Sequence, residues 1–144
     1  MRPEPKDSRV SPLSELLPVP DLASQPFFDA ALEGRLMLQR CTGCAQAWFP
    51  FRSRCAVCNG PGLEWEVASG KGRIYMHGRM HQVFHPELAD AVPYRLAIVE
   101  LEEGVRVLTQ LVGAEPERVR TGAPVEVIFE RLSDEVAIPK FRLR

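Results

Sequence analysis

The chain has 144 residues, with 18 Lys and Arg against 19 Asp and Glu, and a formal net charge of −1. This length suits one ordinary domain, or one small domain with a metal-stabilised module. Balanced charge disfavours a general nucleic-acid role, which normally relies on clustered cations, and no stretch reaches the ~18 apolar residues of a membrane span.

The N-terminal segment is rich in proline. Six of the 13 prolines fall within the first 26 residues, at Pro3, Pro5, Pro12, Pro18, Pro20 and Pro26. Because this spacing leaves no room for a helix or strand, residues 1–25 are predicted to form a flexible arm. The arm lacks the apolar core of a secretory signal, so we expect a cytoplasmic protein.

A short helix is predicted to follow the arm. Ser24 can cap it, Pro26 suits its first turn, and Gly34 is a stop signal. Phe27 and Phe28 are adjacent and cannot share one narrow helical stripe, so one ring is expected in the core and the other is free to reach a second surface, although burial of both is the simpler expectation.

Four cysteines, Cys41, Cys44, Cys55 and Cys58, are the only cysteines of the chain. Two C-x2-C pairs ten residues apart are typical of two metal knuckles that bring four sulfurs into a tetrahedron. The spacing predicts a structural zinc ribbon. A closed four-thiolate site leaves zinc no open position for water or substrate, so the metal is expected to hold shape and not to perform chemistry.

Two alternatives to zinc are open from the sequence. Two disulfides would need an oxidising compartment, which the absent secretory signal does not support. One iron ion also suits four thiolates and would make the protein an electron carrier, which a visible spectrum distinguishes. The second knuckle is followed by Asn59-Gly60, which tolerate positive φ, whereas Ala45 after the first knuckle is a less comfortable residue.

Cations concentrate around the cysteines. Between Gly34 and Leu63 there are four arginines and no acidic side chain: Arg35, Arg40, Arg52 and Arg54. Four thiolates on a divalent ion carry about −2, so these arginines either balance the metal centre or form a patch that faces phosphates.

Beyond Gly62 the sequence is typical of strands separated by turns. Extended segments are predicted at Arg73–His81, with a bend or bulge at Gly78, and at Tyr94–Leu101, Val105–Val112, Val125–Leu132 and Val136–Leu143. A link of helical or turn character, Ala114–Arg120, separates the third strand from the fourth. This order matches an OB-fold barrel, with a small sandwich as the alternative.

The predicted organisation is therefore mainly β, with an arm at residues 1–25, a short N-terminal helix plus zinc ribbon at residues 26–66, and a five-stranded OB-fold barrel at residues 67–144. His77, His81 and His85 recur every four residues, but along a strand this spacing spans about 13 Å, too far to share one ion.

Several ordered motifs now coincide. From FFDAALEGRLMLQRCTGCAQAWFPFRSRCAVC through SGKGRIY, VPYRLAIVELEEGVRVLTQLVG and RTGAPVEVIFERL to IPKFR, the chain resembles the family that pairs a rubredoxin-like zinc ribbon with an acyl-CoA-associated OB-fold. The resemblance covers about residue 26 to residue 144. It implies that the four cysteines bind structural zinc, and it carries over no catalytic residue.

The same resemblance implies a non-catalytic accessory subunit that docks on a thiolase-like enzyme, hydratase or aldolase and helps to hold acyl-CoA. Candidate residues for contacts with ligand or partner are Phe27, Phe28, Arg35, Arg40, Arg52, Arg54, Arg73 and Arg79. The alternative is a nucleic-acid-binding module, in which Tyr75, Phe84 and Tyr94 would supply stacking.

Overall fold

A computed structural model describes residues 16–144. The predicted arm therefore lies outside the described residues as far as position 15. The elements are α1 (Gln25–Leu32), β1 (Met37–Cys41), β2 (Ala47–Trp48), β3 (Leu63–Val67), β4 (Lys71–Met80), β5 (Tyr94–Leu101), β6 (Arg106–Leu111), β7 (Pro124–Arg131) and β8 (Ala137–Leu143). Within residues 16–144, none of the helices has the length and apolar character that crossing a bilayer requires.

Helix α1 is capped by Asp21 and not, as predicted, by the side chain of Ser24. The Ser24 N–H donates to Asp21 Oδ1 at 2.8 Å, and the Gln25 N–H donates to the Asp21 carbonyl at 2.8 Å. The Ser24 hydroxyl donates to the same carboxylate at 2.7 Å. These hydrogen bonds from Ser24 lower the pKa of Asp21. Asp21 therefore caps the start of the helix, because the first N–H groups of a helix have no acceptors within the helix itself.

The predicted helix stop is confirmed. Gly34 has a φ of 77°, its N–H donates to the Ala31 carbonyl, and the Arg35 N–H donates to the Ala30 carbonyl at 2.8 Å. This is a Schellman motif, in which glycine takes the left-handed conformation at little cost.

The zinc-ribbon region is built on a three-stranded antiparallel sheet of order β2-β1-β3. Strand β3 is not among the strands that the sequence predicted. Strand β3 pairs with β1 over five positions, from Met37 opposite Val67 to Cys41 opposite Leu63. The paired residues of β1 and β3 are more than 20 positions apart in the chain, so no short turn between the two strands indicates the pairing.

The C-terminal strands form a closed barrel of order β4-β5-β6-β8-β7, in which β7 also pairs with β4. Strands β6 and β8 are parallel, and a short 3-10 helix at Pro116–Arg118 separates β6 from β7. These features confirm the OB-fold and rule out the sandwich. The bulge of β4 lies between Ile74 and Met76, so the bulge predicted at Gly78 was wrong.

One apolar core runs through both regions. Leu36 and Leu38 of the ribbon belong to the same buried cluster as Ile74, Val99 and Phe141 of the barrel. Rings from α1 and the cysteine loop join this cluster, with Phe27 5.9 Å from Phe49 and 6.1 Å from Phe51 between centroids. The ribbon is thus held by the barrel as well as by its metal site.

Candidate metal centre and surrounding surface

The four cysteine sulfurs converge on one point. All four Sγ atoms lie within 4.8 Å of one another, and the Cys41–Cys58 and Cys44–Cys55 pairs are each 3.5 Å apart. A disulfide would need about 2.05 Å. A tetrahedron with Zn–S bonds of about 2.3 Å needs separations of roughly 3.8 Å, so the cysteines fit one zinc ion. Cys41 and Cys55 are buried, whereas Cys44 and Cys58 are exposed.

The two knuckles share one backbone plan. The Ala45 N–H donates to the Cys41 carbonyl and the Asn59 N–H donates to the Cys55 carbonyl, both at 2.9 Å. Both Ala45 and Asn59 have positive φ, of 61° and 57°. In addition, the Cys41 N–H donates to the Gln46 carbonyl, as the Cys55 N–H does to Gly60.

Backbone N–H groups prepare the sulfurs for a cation. The Cys58 N–H, with that of Val57, lowers the pKa of Cys55 to about 6, and the N–H groups of Cys44 and Gly43 lower the pKa of Cys41. Despite the Gln46 N–H donor, contact with the Cys55 sulfur raises the pKa of Cys44 to about 12. Four crowded thiolates cannot all ionise alone, and a divalent cation removes that obstacle.

Trp48 covers the buried side of the site. Its Nε1–H is buried and has no partner at full hydrogen-bond geometry in the part of the chain that the structure describes, yet it helps to lower the pKa of Cys55. The Arg52 guanidinium lies 4.0 Å above the Trp48 ring centroid, a cation–π contact. Arg52 thus holds the outer face of the indole and is itself exposed.

The four arginines near the cysteines each contact a different side chain. Arg40 makes two hydrogen bonds with Glu66, at 2.6 and 2.9 Å, and a third with the Ala45 carbonyl. Arg35 pairs with Glu33, and Arg54 donates to the Asn59 side chain at 3.3 Å. Both carboxylates lie just outside the acid-free window, which is why the sequence suggested unbalanced cations. Arg35, Arg40 and Arg54 therefore each have a partner within the described residues, and a role in binding phosphate stays a prediction.

The remaining candidates belong to α1 and β4 and lie outside the two cysteine knuckles. Arg73 Nη1 donates to the Gly122 carbonyl at one end of the barrel, and Arg79 is on the far half of β4. Phe27 is only 8% exposed and its ring belongs to the core, while Phe28 is half-buried and packs at the edge of the core. Contacts of these residues with a ligand or partner stay a prediction.

The aromatic and histidine residues considered as candidate sites also make separate contacts. The Arg106 guanidinium lies 3.6 Å from the centroid of the Tyr75 ring and covers one of the two ring faces on which a base could stack. His85 caps a 3-10 helix at Pro86–Ala91, its Nδ1 accepting from the Glu87 N–H. Within residues 16–144, the four cysteines are the one group of at least three side chains placed to bind a metal.

One further surface was not predicted from the sequence. An apolar groove of about 280 Å³ crosses the outer face of β4, β5 and β6, with Met76, Leu96, Ile98 and Leu108 among its lining. The signal was present in β5, where Leu96-Ala97-Ile98-Val99 is apolar at successive positions and therefore on both faces of the strand.

The sequence matches two family descriptions in chain order. Residues 28–64 match "ChsH2, rubredoxin-like zinc ribbon domain", and residues 65–130 match "ChsH2, C-terminal OB-fold domain".

Similar proteins include subunits and scaffolds. A "Probable enoyl-CoA hydratase alpha subunit" of Thermomonospora curvata is 36% identical over 118 residues, which cover 81% of this chain but 36% of that protein, so the chain spans about a third of its length. A "DUF35 domain-containing scaffold protein" of Methanothermobacter thermautotrophicus is 39% identical over 97 residues, 67% of this chain and 72% of that one.

A solved structure shares the fold. The "Ltp2-ChsH2(DUF35) aldolase" superposes with a TM-score of 0.75 and 33% sequence identity, covering 88% of this chain and 98% of the other. The likeness therefore extends over helix, ribbon and barrel together.

Proposed function

Because the chain belongs to the ChsH2 family of zinc-ribbon and OB-fold proteins, we propose that it is a non-catalytic subunit of an acyl-CoA enzyme complex. In this proposal it docks on a hydratase, aldolase or thiolase-like enzyme and helps to bind or present the acyl-CoA.

The observation that carries the proposal is the match to a chain of the "Ltp2-ChsH2(DUF35) aldolase", which this chain covers over 98% of its length. The other relatives named here are a hydratase subunit and a scaffold protein. Assembly with other chains is the property that these three names have in common. It supports a subunit role more strongly than any one reaction.

The chemistry of the metal centre supports a structural role. Zinc, when bound by Cys41, Cys44, Cys55 and Cys58, would have all four positions filled by thiolates and none for a reacting water. The chain's own residues then supply rigidity: paired knuckles fix the loops, and Trp48 closes the buried side. Such a site presents a fixed surface and has no group positioned to attack a thioester.

The test is recovery of a complex from cells of the source organism. The tagged full-length chain is expected to retain an acyl-CoA hydratase, aldolase or thiolase-like enzyme, identified by mass spectrometry and reproduced with the two purified proteins. Adding the chain should raise the enzyme's affinity for acyl-CoA or its rate. Recovery of the chain alone at every salt concentration, or thioester turnover by the purified chain alone, would contradict the proposal.

A further inference from the structure

A buried hydrogen-bond donor lies beside the metal centre. The Trp48 Nε1 atom is buried, and no acceptor within the described part of the chain meets it at full hydrogen-bond geometry. Among the described residues it is the one buried side-chain nitrogen or oxygen in this condition. Indole can only donate, and a buried donor without an acceptor is unfavourable. Such a group in a folded protein calls for an explanation, and a bound ion is a common one.

The Cys55 sulfur is the acceptor next to this donor. Cys55 is only 1% exposed, and the Trp48 side chain is one of the groups that lower the pKa of its thiol. A neutral thiol is a weak acceptor, whereas a thiolate makes stronger, charge-assisted hydrogen bonds. Because a metal binds cysteine in the thiolate form, metal binding supplies the acceptor that the indole lacks.

Two residues restrict the orientation of the indole. Trp48 lies on β2 directly opposite Gln39 of β1. The chain after β2 returns across the ring, and the Arg52 guanidinium lies 4.0 Å from the ring centroid. The side chain of buried Gln39 accepts a hydrogen bond from the Arg52 backbone N–H at 2.8 Å and so anchors this returning segment. Gln39 and Arg52 therefore limit the directions in which the indole N–H can point.

We propose that in the metal-bound protein the Trp48 indole N–H donates a hydrogen bond to the Cys55 sulfur. Gln39 and Arg52 are the positioning residues for this contact. The hydrogen bond raises the affinity of the site for a divalent cation, because the buried donor is fully satisfied only in the bound state. Loss of a group that hydrogen-bonds to a metal ligand typically weakens metal binding by about 10–100-fold. The inference concerns the metal centre alone and is independent of the enzyme that the chain binds.

A packing role for Trp48 is the alternative. An indole ring that only fills space and excludes water from the sulfurs needs no N–H, and phenylalanine would serve almost as well in its place. The two roles therefore differ in what removal of the N–H changes while an aromatic ring is kept.

The direct test uses the full-length chain loaded with ¹¹³Cd²⁺. A hydrogen bond from the indole N–H to a metal-bound sulfur should give a through-bond NMR coupling between the indole Hε1 proton and the cadmium nucleus. We expect this coupling for Trp48. Trp65, whose ring packs against Phe51 with 5.8 Å between centroids, is the internal control and should show none.

Zinc affinity, measured by competition with a chelator, tests the energetic contribution. Trp48→Phe keeps an aromatic ring and removes the donor, so it should weaken Zn²⁺ binding by about 10-fold or more. Trp65→Phe is the matched control and should bind Zn²⁺ like the wild type. In the Co²⁺-loaded chain, Trp48→Phe should also move the sulfur-to-cobalt charge-transfer band to longer wavelength, because the hydrogen bond no longer lowers the energy of the sulfur electrons. Circular dichroism checks that each variant is folded.

Arg52→Gln tests the positioning role. It removes the cation above the ring and leaves the Trp48 donor in place, so the Hε1 coupling should weaken and Zn²⁺ affinity should fall by a smaller factor than in Trp48→Phe. Added to Trp48→Phe, Arg52→Gln should cause no further loss. Arg35→Gln, which removes the same charge ahead of β1, is the control and should bind Zn²⁺ like the wild type.

Three outcomes would overturn the proposal. The first is absence of the Trp48 coupling in the folded, cadmium-loaded wild type. The second is unchanged Zn²⁺ affinity and an unchanged cobalt spectrum in Trp48→Phe. The third is an equal loss of affinity in Trp48→Phe and Trp65→Phe with no spectral shift, which ring packing alone would explain. Each of them would leave the proposed subunit function standing.

Discussion

Ala45 and Asn59 occupy equivalent positions in the two cysteine knuckles, with φ values of 61° and 57° and matching 2.9 Å hydrogen bonds to Cys41 and Cys55. Asparagine tolerates the left-handed region better than alanine does, so the two knuckles are built alike from residues of unequal suitability. The first knuckle carries the greater backbone strain.

Replacing Ala45 by glycine should therefore stabilise the protein. The left-handed conformation costs a non-glycine residue about 1–2 kcal/mol, and added chain entropy offsets part of the gain, leaving about 0.5–1 kcal/mol. Urea unfolding of the metal-bound protein measures the change. Ala47→Gly in β2 is the control and should destabilise, because that site is an ordinary strand position. A loss of stability in Ala45→Gly would contradict the strain argument.

Removal of the metal should destabilise ribbon and barrel together. Binding free energy for structural zinc is about 10–16 kcal/mol in zinc-finger peptides. Because Leu36 and Leu38 of the ribbon pack in the core that the barrel shares, loss of the metal should loosen that core as well. After chelation, or in Cys58→Ser, fluorescence of Trp48 and Trp65 should report a loosened ribbon. The urea midpoint of the barrel, followed by circular dichroism, should fall as well.

Ser53→Ala, at an exposed site of the same loop, is the matched control for metal removal and should unfold like the wild type. An unchanged midpoint in metal-free protein by both probes would refute the structural role of the metal.

The Arg40–Glu66 ion pair should give a defined pH dependence. The hydrogen bonds from Arg40 lower the pKa of Glu66 below its ordinary value of 4.5. The pair therefore contributes stability above the pKa of the unfolded carboxyl, and that contribution is lost as the pH falls through the lower pKa of the folded state. Glu66→Gln should be less stable than the wild type at neutral pH, with the difference closing in acid.

Stability of both proteins measured from pH 7 to acid checks this expectation. The effect should be small because both side chains are more than one-third exposed. Glu64→Gln, an exposed neighbour on β3, controls for the loss of one carboxylate. A wild-type advantage that persists unchanged in acid would argue against the assignment.

Substitutions of Phe27 and Phe28 should have different effects, with Phe27→Ala reducing stability more than Phe28→Ala does. Truncation of the buried ring in Phe27→Ala should cost about 3–5 kcal/mol of stability, because it opens a cavity beside Phe49 and Phe51. Phe28→Ala should cost less, since that ring is only half-buried. Unfolding experiments measure the first effect, and the affinity of Phe28→Ala for the acyl-CoA enzyme tests a contact there. Equal destabilisation by the two substitutions would contradict this division.

Local patterns in the sequence predicted the parts of the fold that depend on neighbouring residues. The cysteine spacing indicated the metal centre, and apolar residues bounded by turns located β5 at the observed Tyr94–Leu101. Gly34 ended the helix as expected. Each of these features is decided within a few residues of chain, where spacing and conformational preference are strong evidence.

Distant partners account for what the sequence did not predict. Glu66 neutralises Arg40 from 26 residues away, and β3 forms only because β1 supplies its ladder. A glycine in a strand often marks a bulge, but Gly78 pairs with Leu96 in regular register and the register shift lies between Ile74 and Met76. The sequence does not predict the cap at Asp21 because Ser24 has equally suitable chemistry and stands three positions closer to the helix.

The uninterrupted interior has a consequence for building chimaeras. Phe27, Leu36 and Leu38 belong to the same buried cluster as Ile74 and Phe141. Exchanging only the cysteine-bearing region between relatives would therefore join two sets of core side chains that do not pack together. Transplanting helix, ribbon and barrel as a single cassette keeps every interior neighbour in place. The indivisible unit for recombination is therefore larger than either of its recognisable parts.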